Sequence, residues 1–281
     1  MTIVVTGAAG KTGLAVVAAL ARANVAVRAL VHRLDQAGRL MQWGAAEAQV
    51  CNLYSADDLR AGFAQARAVY HICPNVSPDE VQIGVNVIAA AKQAGVAQVV
   101  YHSVLHPQTQ AMPHHWHKLR VEEALFASGL DVTILQPTAY MQNLLANWGR
   151  ISQEGILRNP YPIETRLSLV DLADVAEVAA RVLTEPGHVG AMYELVGTPA
   201  LSQTQVAEVL SEVLGRPVRA EAEPIGAWAA RATGLGPAQR ETLVQMFAYY
   251  ARHGLIGNPK VLGWLLGRVP TTLRAFAQMA V

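Results

Sequence analysis

Residues 6–13 read Thr6-Gly7-Ala8-Ala9-Gly10-Lys11-Thr12-Gly13. Glycines spaced this way let the chain turn tightly, let its backbone approach a ligand and let a helix pack close on a strand. The N-terminus of that helix offers orphan N–H groups and a positive dipole end to a phosphate. The run follows the strand-like Thr2-Ile3-Val4-Val5 and opens a helical pattern at Leu14, the setting in which such a turn seats a pyrophosphate. Thr6, Gly7, Ala9, Gly10, Lys11, Thr12 and Gly13 are therefore the expected dinucleotide-binding residues; the alternative is a tight turn and nothing more.

A second position chooses between dinucleotides. NAD sites usually place Asp or Glu at the end of the second strand, where a carboxylate binds the ribose hydroxyls and repels a 2′-phosphate. Here that strand ends Leu30-Val31-His32-Arg33. With no acid and a guanidinium one step on, the pattern favours NADP(H) over NAD(H), because Arg pairs bidentately with phosphate. Lys11 adds a second cation. The alternative is that Arg33 and Lys11 are solvated surface charges.

A phenol one helical turn before a lysine is a proton-transfer pair, since i and i+4 share a face and the ammonium lowers the phenol pKa. The matching stretch here is His114-His115-Trp116-His117-Lys118, with the lysine kept and the phenol absent. His114 stands at the phenol's place and imidazole can relay a proton near neutrality. Ser103, at the end of a strand, either bonds a substrate carbonyl or finishes the strand. Five of the nine histidines fall between His102 and His117, yet their spacing scatters them around a helix instead of converging on a metal, so no metal is expected. Cys51 and Cys73 read as ordinary buried thiols.

These residues need elements to position them. Short β-branched runs at 2–6, 25–31, 47–50, 68–73, 97–103 and 131–136 alternate with helical patterns near 11–23, 35–43, 55–65, 78–94 and 114–128. That rhythm predicts an α/β fold, a doubly wound parallel sheet of the Rossmann kind. After Pro137 the pattern changes: 139–154 and 202–214 read as helices, 191–196 as one more strand, and the last sixty or so residues as short helices broken by Gly and Pro. Asp174 and Glu177 fit a capping box opening a helix over 175–183. The expected division is a nucleotide-binding domain over 1–138 and a smaller, mainly helical substrate domain over 139–281, with parts of 168–197 packing back on the sheet.

Composition narrows the partners. Twenty-two Lys and Arg against 21 Asp and Glu leave a formal charge of +1, and charged residues are 15% of the chain, well under the roughly 25% usual for soluble domains. This excludes the electrostatic footprint of a nucleic-acid binder. No apolar run reaches the ~18–20 residues that cross a bilayer, so no membrane partner is expected. Without a basic segment before Thr2, no secretory leader is expected either, and a reducing cytoplasm is the default location.

Taken together, the glycine loop, Val27-Arg28-Ala29-Leu30-Val31-His32-Arg33, Gln98-Val99-Val100-Tyr101-His102-Ser103, His117-Lys118, Leu135-Gln136-Pro137-Thr138-Ala139-Tyr140-Met141-Gln142-Asn143 and Val170-Asp171-Leu172-Ala173-Asp174-Val175-Ala176 resemble the NmrA-like atypical short-chain dehydrogenase/reductases. Leu214-Gly215-Arg216-Pro217 and Leu266-Gly267-Arg268 extend the likeness through the C-terminal half. The resemblance implies a Rossmann domain with a smaller substrate domain, in a group divided between NADPH-dependent reductases of quinones or dyes and cofactor-sensing regulators. It implies that Lys118 holds the ribose and nicotinamide side of the cofactor, that Pro137, a cofactor-site residue, closes the sixth strand so that the backbone at Thr138 and Ala139 faces the carboxamide, and that Asn52, where the family often has Asp, meets the adenine. Tyr140, Met141 and Asn143, with Trp148, are candidate substrate-pocket walls, or helix core.

The expected function is an NADPH-binding reductase that lacks the tyrosine of the Tyr-x-x-x-Lys pair. Lys118, His114 and Ser103 are its candidate catalytic residues. Its substrate would be a small apolar electrophile such as a quinone or an aromatic acceptor, held by Ser103, the 138–143 segment and the C-terminal domain. A non-catalytic NADP(H)-sensing regulator that binds a protein partner is the alternative, and a silent scaffold with vestigial glycines a third.

Overall fold

The structure, a computed structural model, describes residues 2–280. Its first half alternates as the sequence predicts: β1 (Thr2–Val5), α1 (Lys11–Arg22), β2 (Ala26–Val31), α2 (Ala37–Gln42), β3 (Glu47–Val50), α3 (Ala56–Phe63), β4 (Ala66–His71), α4 (Glu80–Gln93), β5 (Gln98–His102), α5 (Pro113–Phe126) and β6 (Asp131–Pro137). There follow β7 (Ala139–Tyr140), α6 (Trp148–Glu154), β8 (Ile156–Asn159), β9 (Leu169–Val170), α7 (Leu172–Thr184) and β10 (Met192–Leu195). The chain closes with α8 (Gln203–Leu214), β11 (Arg219–Ala222), α9 (Ile225–Arg231), α10 (Pro237–His253), α11 (Lys260–Leu266) and α12 (Leu273–Ala280).

Seven strands form one sheet in the order β3-β2-β1-β4-β5-β6-β10. The pairs β1/β2, β1/β4, β2/β3, β4/β5 and β5/β6 are parallel. This is the doubly wound Rossmann sheet. Its strands are apolar on successive residues because both faces are covered: Ile3, Val4, Val5, Ala68, Val69, Val99 and Val100 have no exposed surface. Phe63, Ile83, Val87, Val121 and Leu125 from α3, α4 and α5 cover one face. Strand order reverses between β1 and β4, and ligands of open α/β sheets bind outside the carboxyl ends of strands at such a switch.

Two compact units divide the chain. The first comprises residues 1–108, 115–136 and 175–193; the second comprises 109–114, 137–174 and 194–281. In the second, β7 pairs with β9 and β8 with β11, both parallel. Ser202 caps α8 by accepting from the Gln205 N–H at 3.1 Å, while the Gln205 side chain accepts from the Ser202 N–H at 2.9 Å.

Three local expectations are corrected. Residues 139–154 are not one helix: Ala139 and Tyr140 are drawn out as β7 by the ladder with Leu169 and Val170, a 3-10 turn spans Met141–Asn147, and only α6 is α-helical. Helix α7 starts at Leu172, before the expected 175, because Asp171 supplies the cap by accepting from the Ala173 N–H at 2.9 Å. Asp174 instead accepts from Arg268 Nη2 at 2.8 Å and from the Thr271 N–H at 2.7 Å and its hydroxyl at 3.0 Å. In the C-terminal stretch α10 runs for 17 residues, entered by Pro at its first turn and closed by Gly254 at φ +69°.

Candidate active site

The glycine loop links β1 to α1. Gly7 holds φ +59°, and a Cβ built on Gly13 would stand 2.4 Å from Gly7 O and 2.5 Å from Ala8 Cα. Only glycine permits that approach of helix to turn. Gly10 is the N-cap of α1; no side chain caps this end and its first turn has no acid. An anion is therefore the complement of the helix end. Thr6 is fully buried: its hydroxyl donates to Ile72 O at 3.1 Å, accepts from the Ile72 N–H at 2.9 Å and lies 2.8 Å from His71 Nδ1, tying β1 to β4 from beneath the loop. Ala9 is half-buried in the turn, Thr12 is buried, and Lys11 is exposed at the start of the helix.

Beyond β2, Arg33 is exposed and held by Asp35, with Nε to Oδ1 and Nη2 to Oδ2 both at 3.1 Å. The hydrogen bond and charge of Asp35 raise the Arg33 pKa, and those of Arg33 lower that of Asp35. Asn52, past β3, folds its side-chain oxygen back to accept from the Tyr54 N–H at 3.0 Å, while its own N–H donates to Asp58 at 2.9 Å.

Lys118 is not a solvated helix lysine. It is 5% exposed, and its Nζ donates to Glu80 Oε1 and to His102 O, each at 3.0 Å. Glu80, in the first turn of α4, has no exposed surface; its Oε1 also accepts from Tyr101 at 2.7 Å, and the Lys118 ammonium lies 5.2 Å from that ring's centroid. The helices come this close because Gly84, one turn along α4, leaves room for Val121 of α5: a Cβ at Gly84 would meet both Val121 methyls at 2.7 Å. Burial, and then the neighbouring Glu80 charge, hold the Tyr101 phenol well above its ordinary pKa, so it remains a donor. The Cys73 thiol is likewise raised by burial first and Glu80 second.

Neutral imidazoles surround this pair. His71 stacks on Tyr101, ring centroids 5.7 Å apart, and burial pushes it down to about 4. Burial takes His102, 2.6 Å from the Tyr70 hydroxyl, to about 3. His115 is buried, its Nδ1 facing His106 O at 3.2 Å, and is lowered to about 4. His114 is half-buried in the first turn of α5. Among the described residues no three His, Cys, Asp or Glu side chains are placed to hold a metal ion.

Ser103 is buried and its hydroxyl donates to Glu122 Oε1 in a very short hydrogen bond. Gln136 donates to both oxygens of that carboxylate, at 3.0 and 3.1 Å. Burial raises the Glu122 pKa against the opposing pull of Ser103, Gln136 and Lys118. Ser103 thus has its proton committed inward.

In the second unit, Pro137 and Thr138 are buried, and Thr138 spends its N–H on Leu195 O at 3.1 Å and its hydroxyl on Ser168 O at 2.9 Å. Tyr140 and Asn143 line a small cavity of about 70 Å3 with Tyr161 and Gln203. Met141 has no exposed surface and belongs to the core. Gln142 bridges Asp171 and the Leu172 N–H, at 2.7 and 3.0 Å, fixing the start of α7. Sequence reasoning missed Glu80, Glu122 and the fixing role of Gln142. A lone Glu opening a helix carried no distinguishing signal, and only the fold shows which cation it meets.

The NmrA-like family profile matches residues 1–278. The chain belongs to the NmrA-like family. Among NmrA-like relatives, it is 31% identical to NAD(P)H azoreductase of Xenophilus azovorans over 283 residues, covering 98% of this chain and 96% of that one. It is 33% identical to quinone oxidoreductase 2 of Escherichia coli over 190 residues, covering 67% and 66%. The crystal structure of an NADPH-dependent quinone oxidoreductase from E. coli, complexed with NADPH, superposes with a TM-score of 0.86 at 27% identity over 99% of each chain. Among the described residues no helix is long and apolar enough to cross a membrane.

Proposed function

We propose that this chain is an NADPH-dependent reductase that delivers hydride to a small apolar electrophile, a quinone or an azo or related aromatic acceptor. The observation that carries the reading is the acid-free, uncapped start of α1 on a glycine turn that tolerates no Cβ at Gly13. The NAD(P)H-using azoreductase and quinone oxidoreductase relatives support the substrate class. When bound, NADPH supplies the hydride.

In this reading the domain roles follow the chain: the Rossmann unit binds the dinucleotide and the second unit shapes the substrate pocket, to which Tyr140 and Asn143 contribute. Gly7, Gly10 and Gly13 form the pyrophosphate turn, and Arg33 exchanges Asp35 for the 2′-phosphate. Glu80 and His102 O occupy two of the three Lys118 donors, which orients the ammonium and leaves one N–H for the cofactor's ribose. Because Glu80 neutralises Lys118 locally, the site has little positive field with which to stabilise an alkoxide, and no phenol precedes the lysine. That suits acceptors whose reduced form draws its proton from solvent or from His114, and disfavours alcohol oxidation.

The test is fluorescence titration with NADPH and NADH, then stopped-flow oxidation of the NADPH complex by benzoquinone, menadione and an azo dye. Turnover of at least one acceptor is expected. Tight NADPH binding with no turnover by any of them would overturn the reductase and leave a cofactor sensor.

A further inference from the structure

The second unit carries a cleft of about 590 Å3, within the ~300–1,000 Å3 usual for small-molecule sites. Leu201 and Val209 line it together with Trp264, Val269 and Leu273 from the C-terminal helices and the loop joining them. Trp264 and Val269 are 75% and 78% exposed, an arrangement that costs free energy in water when nothing covers it.

The charge pattern identifies what would cover it. Among the described residues no carboxylate lines the cleft, whereas three cations do. Arg268 is paired with Asp174 at 2.8 Å, and Arg274 with Glu212. Lys260 forms no ion pair among the described residues, so the apolar cleft presents one uncompensated positive charge. A second copy of the chain packed isologously on this face would set cation against cation.

We propose that this cleft is a ligand site for a small amphiphilic carboxylate, with an aromatic or short acyl body against Trp264, Val269 and Leu273 and its carboxylate on Lys260. The proposal is independent of the reductase reading and concerns a site distinct from the glycine loop and Lys118.

The probe is 1-anilinonaphthalene-8-sulfonate, whose fluorescence reports an apolar anion site, in competition with decanoate, decanol and decylamine on the full chain. Decanoate displaces the probe at least tenfold more effectively than decanol or decylamine. Trp264→Ala weakens probe and decanoate together, and Lys260→Glu abolishes the preference for decanoate over decanol. Both positions are exposed, and an unchanged thermal melt confirms that each variant is folded. Displacement by decanol as strong as by decanoate would overturn the proposal, as would probe binding indifferent to Trp264→Ala. So would a dimer in sedimentation velocity that Trp264→Ala dissociates, since the cleft would then serve a second copy.

Discussion

Glu80 and Lys118 form an ion pair out of water, and removing one partner of such a pair strands the other charge. Glu80→Ala or Lys118→Ala should each lower unfolding free energy by about 3–5 kcal/mol in urea melts, whereas the double variant Glu80→Gln/Lys118→Gln recovers most of the loss. If Lys118 meets the cofactor, NADPH affinity stays weak in the double variant although the fold is restored. Recovery of affinity with stability would make the pair purely structural. Arg33 is tested separately: Arg33→Ala should weaken NADPH binding roughly tenfold or more, the size of one charge-assisted bond to phosphate, and leave NADH unchanged. Equal effects on both dinucleotides would remove Arg33 from cofactor choice. Arg33 could be singled out in the sequence because its signal is local, an absent acid at a known strand end. Glu80 could not, because its partner lies 38 positions away.

At the scale of elements, the spacing of α4 and α5 decides the site. Gly84→Ala places a methyl where Val121 already sits, and overpacking of this kind costs about 1–3 kcal/mol. The expected signature is a lower urea midpoint and weakened NADPH binding, both relieved by adding Val121→Ala. A midpoint unchanged by Gly84→Ala would show that the helices separate freely. The start of α7 teaches the limits of local pattern. Asp174 with Glu177 reads as a capping box, yet the cap is Asp171, three residues earlier. Asp174 is drawn away by Arg268 and Thr271, and Asp171 is fixed by Gln142, so distant partners make the choice. The 139–154 segment departs from its helical pattern for the same reason, since β7 exists only where β9 is beside it.

For the molecule as a whole, three buried histidines make stability depend on pH. His71, His102 and His115 have pKa values of about 4, 3 and 4 in the folded chain, all below the ordinary 6.5. The unfolded chain therefore takes up protons that the folded chain refuses: the stability these histidines contribute is complete well above pH 6.5 and is lost as pH falls toward about 4. Each such histidine contributes about 1.4 kcal/mol per pH unit inside that window. Urea melts from pH 8 to 4 should show this fall, with His102→Gln flattening part of it; a level profile between pH 6.5 and 5 would contradict neutral burial. The sequence by itself determined the Rossmann alternation, the glycine turn and the acid-free end of β2, because periodicity, turn chemistry and the βα setting are properties of neighbours along the chain. Only the tertiary structure decided that Lys118 is sealed against Glu80, that Ser103 spends its proton on Glu122, and that Trp264 and Lys260 line one apolar cleft. Those are contacts between residues far apart in the chain, and packing alone chooses among the many partners that local pattern permits.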